Sequence, residues 1–183
     1  GKGWDEALDV IATNDGGYLM AGIQTVEREG LNAWMITFDA YNNYLWDKTE
    51  GEKDNDIVNA VVQTEDSGFL LVGSSKSENS GSRYTKMWMV KTDRGGTQEW
   101  SRYFGENKND VGKAVCILHD GSIATAGMTE SYGAKGQDAW LMRLKSANTG
   151  YKNFLSSNVD VTANKFRLNT VTGKLKKGDV TYM

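Results

Sequence analysis

Short apolar stretches alternate along this chain with turns built from Gly, Asn and Asp. Residues 7–13, 18–25, 33–39 and 44–49 form a first set, and residues 58–64, 69–75, 86–92 and 98–104 a second. Residues 111–118, 123–129, 138–144 and 150–155 form a third. Each stretch has strand length, is rich in Val, Ile, Thr and aromatics, and is bounded by turn chemistry. None carries a helical apolar stripe of adequate length. The pattern predicts an all-β chain of short antiparallel strands.

The three sets are copies of one another. The first contains Asp15-Gly16-Gly17, Gly22, Trp34, Asp39 and Trp46, and the second Asp66-Ser67-Gly68, Gly73, Trp88, Asp93 and Trp100. The third contains Asp120-Gly121-Ser122, Gly127 and Trp140, with Tyr151 or Phe154 in the last place. The turn aspartates Asp15, Asp66 and Asp120 are 51 and 54 residues apart (66−15, 120−66). Such a period marks one supersecondary unit stacked on copies of itself. Four antiparallel strands with a tryptophan on the third describe a propeller blade. The expected architecture is therefore a β-propeller-like array of about three four-stranded antiparallel blades, followed by a short β tail. The repeats span 1–50, 51–104 and 105–155, and the tail spans 156–183. Within the tail, residues 159–162, 166–172 and 180–183 alternate enough to be strands. Known rings begin at about four blades, so this ring is expected to be incomplete, or closed by the tail or a partner.

The repeated residues have structural readings. Trp34, Trp88 and Trp140 are expected to pack between blades, where their large apolar area is best buried. Trp46 and Trp100 recur after the second turn, and Gly22, Gly73 and Gly127 recur in the second strand. Asp15, Asp66 and Asp120 are expected to accept local backbone N–H groups while a following Gly takes positive φ. Cys116, between Val115 and Ile117, is expected to be a small buried thiol.

The order of an acidic residue, apolar strand, Thr, Asp-Gly-Gly, Gly, Trp, Lys-x-Asp, turn and Trp resembles the propeller-type repeats of large secreted or surface-attached microbial proteins. Residues 90–100, from Val90-Lys91-Thr92-Asp93 to Trp100, carry it best. The resemblance covers about residues 1–154 and specifies fold rather than chemistry. It implies a scaffold or binding module, extracellular or at the cell surface. The third copy departs from the pattern, with Lys145 in place of the second-turn aspartate.

Composition narrows the functional classes. A formal charge of −3 and a pI near 5.3 give no basic footprint for nucleic acid. The charge is uneven: Lys165, Arg167, Lys174, Lys176 and Lys177 face only Asp160 and Asp179 in residues 155–183. That leaves a basic tail on an acidic body. No apolar run is long enough to span a bilayer as a helix. Proline is absent, so turns rely on Asn, Asp and the 21 glycines.

Strand order places the loops between second and third strands, and those between blades, on one edge. These loops vary in length and carry charge, and function on a rigid scaffold sits on such loops. Arg28, Arg83, Tyr84, Tyr132 and Lys135 are the candidate ligand-binding residues there. Asp5, Asp56 and Asp110 recur ahead of each first strand, and three carboxylates near one axis can hold Ca²⁺. The alternative is that each caps its own loop by accepting backbone N–H groups. Ca²⁺ is the one cofactor worth considering. Catalysis finds little support, since His119 is the only histidine and adjoins a turn. No nucleophile elbow, P-loop or dinucleotide fingerprint is present. Glu27, Glu29, Glu50, Glu52, Asp54 and Asp56 can pair as glycosidase carboxylates only at a separation that sequence does not reveal. The reading is a non-enzymatic structural, adhesive or assembly module whose partners are other copies, or further blades of the same or another chain. The alternative is a carbohydrate-binding or glycan-hydrolysing propeller that uses the same loop face.

Overall fold

The computed structural model describes residues 3–76, 83–133 and 136–144 in full, and the backbone alone of 161–168, 175–177 and 181–182. All of the secondary structure among these residues is β. The first sheet is a meander of β1 (Asp5–Ala12), β2 (Tyr18–Val26), β3 (Gly30–Phe38) and β4 (Tyr44–Glu50). The second is a meander of β5 (Asp56–Gln63), β6 (Phe69–Ser75), β7 (Lys86–Thr92) and β8 (Gln98–Phe104). The third contains β9 (Asp110–Ile117), β10 (Ile123–Thr129) and β11 (Asp138–Leu144). None of the sheets closes on itself.

The place of a fourth strand in the third sheet is a correction to the sequence reading. The backbone of β12 (Val161–Leu168) pairs antiparallel with β11, and β13 (Leu175–Lys177) and β14 (Thr181–Tyr182) pair with β12. One strand thus runs through the 163–165 gap left between two expected tail strands. The tail adds to the third sheet's edge. Residues 150–155, expected to be that outer strand, lie outside the described residues.

Register repeats as closely as sequence. Gly22 pairs with Trp34, Gly73 with Trp88 and Gly127 with Trp140. Opposite each of these glycines the first strand carries one extra residue, Leu8, Asn59 or Lys113. The bulge bends that strand inward. A Cβ on Gly22, Gly73 or Gly127 would collide with the carbonyl oxygen of Glu6, Ile57 or Val111 respectively. Close backbone approach, rather than a turn, requires glycine at these three positions.

The first turns are held by their aspartates. Thr13 and Thr64 donate their hydroxyls to Asp15 and Asp66 at 2.5 Å, while Gly68 N–H and Ser122 N–H donate to Asp66 and Asp120. Positive φ falls on Gly16 and Gly121, but on Ser67 (65°) in the second sheet. That is the non-glycine exception to the expected turn chemistry. The second turns work alike, with Asp39 and Asp93 each accepting two backbone N–H groups.

The sheets stack face to face in chain order. Let the front face of each sheet be the one bearing Trp34, Trp88 or Trp140. The front of sheet two (Phe69, Leu71, Trp88, Val90) packs on the back of sheet one (Leu19, Ala21, Ala33, Met35). The front of sheet three (Ile123, Trp140, Met142, Leu144) packs on the back of sheet two (Leu70, Val72, Met87, Met89, Trp100). Trp46 extends the first interface, edge-on to Phe69 at 6.1 Å. Sheet two is therefore apolar on both faces, and β6 and β7 are buried along their whole length.

Candidate functional site

The meander places the β2–β3, β6–β7 and β10–β11 loops on one edge, with the β4–β5 and β8–β9 connections between them. Arg28 lies in the first loop at φ 68°, exposed and 3.9 Å from Glu27. Arg83 and Tyr84 lie in the second, both at the surface. Tyr132 lies in the third, but its ring packs 5.4 Å from Trp140 and is half-buried. Burial, with the nearby charges of Glu106 and Asp110, pushes its hydroxyl up to about 12. Lys135 lies outside the described residues. Tyr84 is thus the better exposed of the two aromatic candidates.

A cleft of about 360 Å³ opens beside these loops, lined by Glu50, Gly51, Glu52, Asp56, Trp88, Gln98, Ser101 and Tyr103. Burial raises the Glu50 carboxyl above its ordinary value, partly offset by Lys48. Burial also raises the Tyr103 hydroxyl. The cleft therefore sets a carboxyl held above its ordinary value beside the half-buried ring of Tyr103.

Asp56 and Asp110 are buried and tie their own connections. Asp56 accepts the Glu52 N–H at 2.7 Å, and Asp110 accepts the Glu106 N–H at 3.2 Å and the Ser131 hydroxyl at 2.5 Å. Asp5 accepts the Thr25 N–H at 3.3 Å. These carboxylate bonds tie local backbone and side chains, while the Asp110 N–H donates across to the Thr85 carbonyl of the second repeat. No group of three His, Cys, Asp or Glu among the described residues can hold a metal ion. His119 is exposed beside the Asp120 turn.

Two residues that sequence reading passed over join neighbouring sheets on this edge. Asn55 accepts the Leu31 N–H of sheet one with its side chain and the Lys76 N–H of sheet two with its carbonyl. Asn109 does the same for Thr85 and Glu130 of sheets two and three. Their 54-residue spacing (109−55) was the available signal.

The two end faces of the stack differ from the internal ones. Trp88 and Trp140 are buried between sheets, but Trp34, also expected there, is half-buried on the front of sheet one, its indole N–H donated to Asp47 at 3.1 Å. Val10 beside it is 62% exposed, whereas its counterpart Val61 is 3% exposed. On the back of sheet three Leu141 is 39% exposed, whereas its counterparts Met35 and Met89 are 0% exposed. Leu141 borders a shallow recess of about 170 Å³ with Ala114, Cys116, Ala124 and Ala126. Cys116 is exposed, which corrects the expectation of a buried thiol. Its apolar neighbours Val115 and Ile117 point the other way, onto the core beneath.

No protein-family profile matches the chain, and no curated protein matches it in sequence. No helix among the described residues is long and apolar enough to cross a membrane.

Proposed function

We propose that this chain is a non-enzymatic assembly and presentation module of an extracellular or cell-surface protein. Its sheets act as propeller-like blades that stack front to back, and its loop edge carries the variable chemistry. One observation carries the reading: both internal interfaces use the same pair of faces, and one front and one back remain at the ends with the apolar composition of that interface. Exposed contiguous apolar surface of this kind marks an interaction site. Sedimentation velocity across a wide concentration range tests it. Association that strengthens with concentration is expected. A single monomeric species throughout would contradict the assembly role.

The second reading, a carbohydrate-binding or glycan-hydrolysing propeller, is favoured by the cleft that joins Glu50 and Glu52 to the ring of Tyr103. Aromatic rings beside carboxylates suit a sugar's apolar faces and hydroxyls. A glycan array probed with wild type, Tyr84→Ala and Glu50→Gln decides it. Binding lost in either variant would favour this reading, and no binding by wild type would remove it.

A further inference from the structure

The assembly reading leaves open what covers the end faces, and the geometry points to a second copy of this chain. Resting on that reading, we propose that two copies join head to tail, front of sheet one on back of sheet three, closing a six-sheet ring.

The argument starts from equivalent positions. Tyr18, Met20, Trp34 and Ile36 on the front of sheet one stand where Phe69, Leu71, Trp88 and Val90 stand on sheet two. Those four residues of sheet two are seated on a back face of Leu19, Ala21, Ala33 and Met35. On the back of sheet three the corresponding positions hold Ala124, Ala126, Ala139 and Leu141. Large front residues thus meet small or aliphatic back residues, as they do inside the chain. The shallow recess over Ala124 and Ala126 suits the bulk of Trp34 and Met20.

The polar groups at the seam agree with this pairing. Inside the chain Asp15 of sheet one binds Arg94 of sheet two at 3.1 Å. At the seam Ala40 stands in the place of Arg94, but Asp120 needs no cation from across it. Arg143 of its own sheet already pairs with Asp120. Trp4 takes the place of the linking Asn55, and its carbonyl still accepts the Thr25 N–H at 3.2 Å. Its side chain offers no acceptor to the neighbouring sheet, so the seam lacks that cross-sheet hydrogen bond and depends on apolar burial. That makes it weaker than the internal interfaces and sensitive to a single buried charge.

Closure follows from counting. The front and back faces are different surfaces, so their contact is heterologous, giving a ring if the rotation closes and a filament if it does not. A ring made of copies of the three described sheets alone holds a multiple of three. Propellers run from about four to eight blades, and six is the multiple of three within that range.

Light scattering on wild type, Val10→Asp and Leu141→Asp tests the proposal. Both positions are exposed in the single chain, so far-UV circular dichroism is expected to match wild type; Met20→Asp and Ala124→Asp provide a second pair. Wild type is expected at twice 20.2 kDa, and each variant alone at the monomer mass. An equimolar mixture of the two variants regains the two-copy species, because one seam then pairs an unaltered front with an unaltered back. Loss in one variant only would mean a like-on-like interface and overturn the head-to-tail pairing. A mass that grows without limit would overturn closure while leaving the assembly reading intact. Wild type at the monomer mass throughout would overturn both.

Discussion

Lys91 is wholly buried, and its ammonium lies 3.0 Å from Asp66 in the first turn of the same sheet. It also reaches Glu99 at 3.0 Å and the Thr92 carbonyl at 2.7 Å. The relationship recurs with changed parts. Arg143 pairs with Asp120 in sheet three, and in sheet one, where Thr37 replaces the cation, Asp15 takes Arg94 from sheet two. Each first-turn aspartate is thus held ionised by a cation and by the turn itself.

That arrangement sets an acid limit on stability. Burial pushes the Asp66 carboxyl up, but the Thr64 hydroxyl, Lys91 and the Gly68 N–H together hold it below the ordinary 3.8. Asp15 and Asp120 are lowered too, chiefly by the Thr13 hydroxyl and the Ser122 N–H. A folded value below the unfolded one stabilises the fold above the unfolded value, and the gain is lost as pH falls through the folded value. Urea midpoints are expected to drop on acidification below pH 3.8. Asp66→Asn lowers the neutral-pH midpoint and flattens that acid slope; an unchanged slope would contradict the assignment.

The repeated strand glycines make a sharper prediction. Gly73→Ala would drive a Cβ into the Ile57 carbonyl oxygen, on backbone that the bulge cannot release. A loss of about 3 kcal/mol in urea unfolding is expected, at the upper end for overpacking. Gly95→Ala is the control, since the nearest atom to its Cβ is Asp93 Oδ1 at 3.4 Å. It should stay within about 0.5 kcal/mol of wild type.

Equivalent positions on the two back faces should differ in cost. Met89→Ala opens a cavity between sheets two and three and is expected to cost about 2–5 kcal/mol. Leu141→Ala, at the counterpart position on the end face, is expected to cost less than about 1 kcal/mol in dilute solution. Equal losses would mean that the back of sheet three is covered within the single chain.

Tyr132 should be visible in an alkaline titration. Its hydroxyl is raised from 10.0 to about 12, so its phenolate absorbance appears late and disappears in Tyr132→Phe. A raised folded value keeps its contribution below the unfolded value, and stability is lost as pH rises from 10.0 towards about 12. A full tyrosine titration complete near 10 would place the ring in solvent.

Much of the fold was legible because local chemistry repeats. Strands β6, β7, β8, β10 and β11 begin and end where the apolar stretches do. Non-local facts were not legible. That Gly73 faces a carbonyl depends on a bulge in another strand, and that residues 161–168 join β11 depends on pairing across a gap. Cys116 misled because burial of one strand face is decided by whether another sheet lies over it. Lys91 sits in an apolar run whose burial only the Asp66 and Glu99 carboxylates make tolerable. Of the site, the loop edge followed from strand order, but the cleft beside Trp88 and the end faces needed the stacked sheets.

Cys116 offers the most direct test of the central claim, because it is the sole cysteine and lies on the back of sheet three. The rate of maleimide labelling under reducing conditions, followed against protein concentration, reads whether that face is covered. Labelling of wild type is expected to slow as concentration rises, while Val10→Asp labels at one fast rate throughout. A wild-type rate independent of concentration, in a range where the mass shows association, would place the contact elsewhere and contradict the front-to-back account.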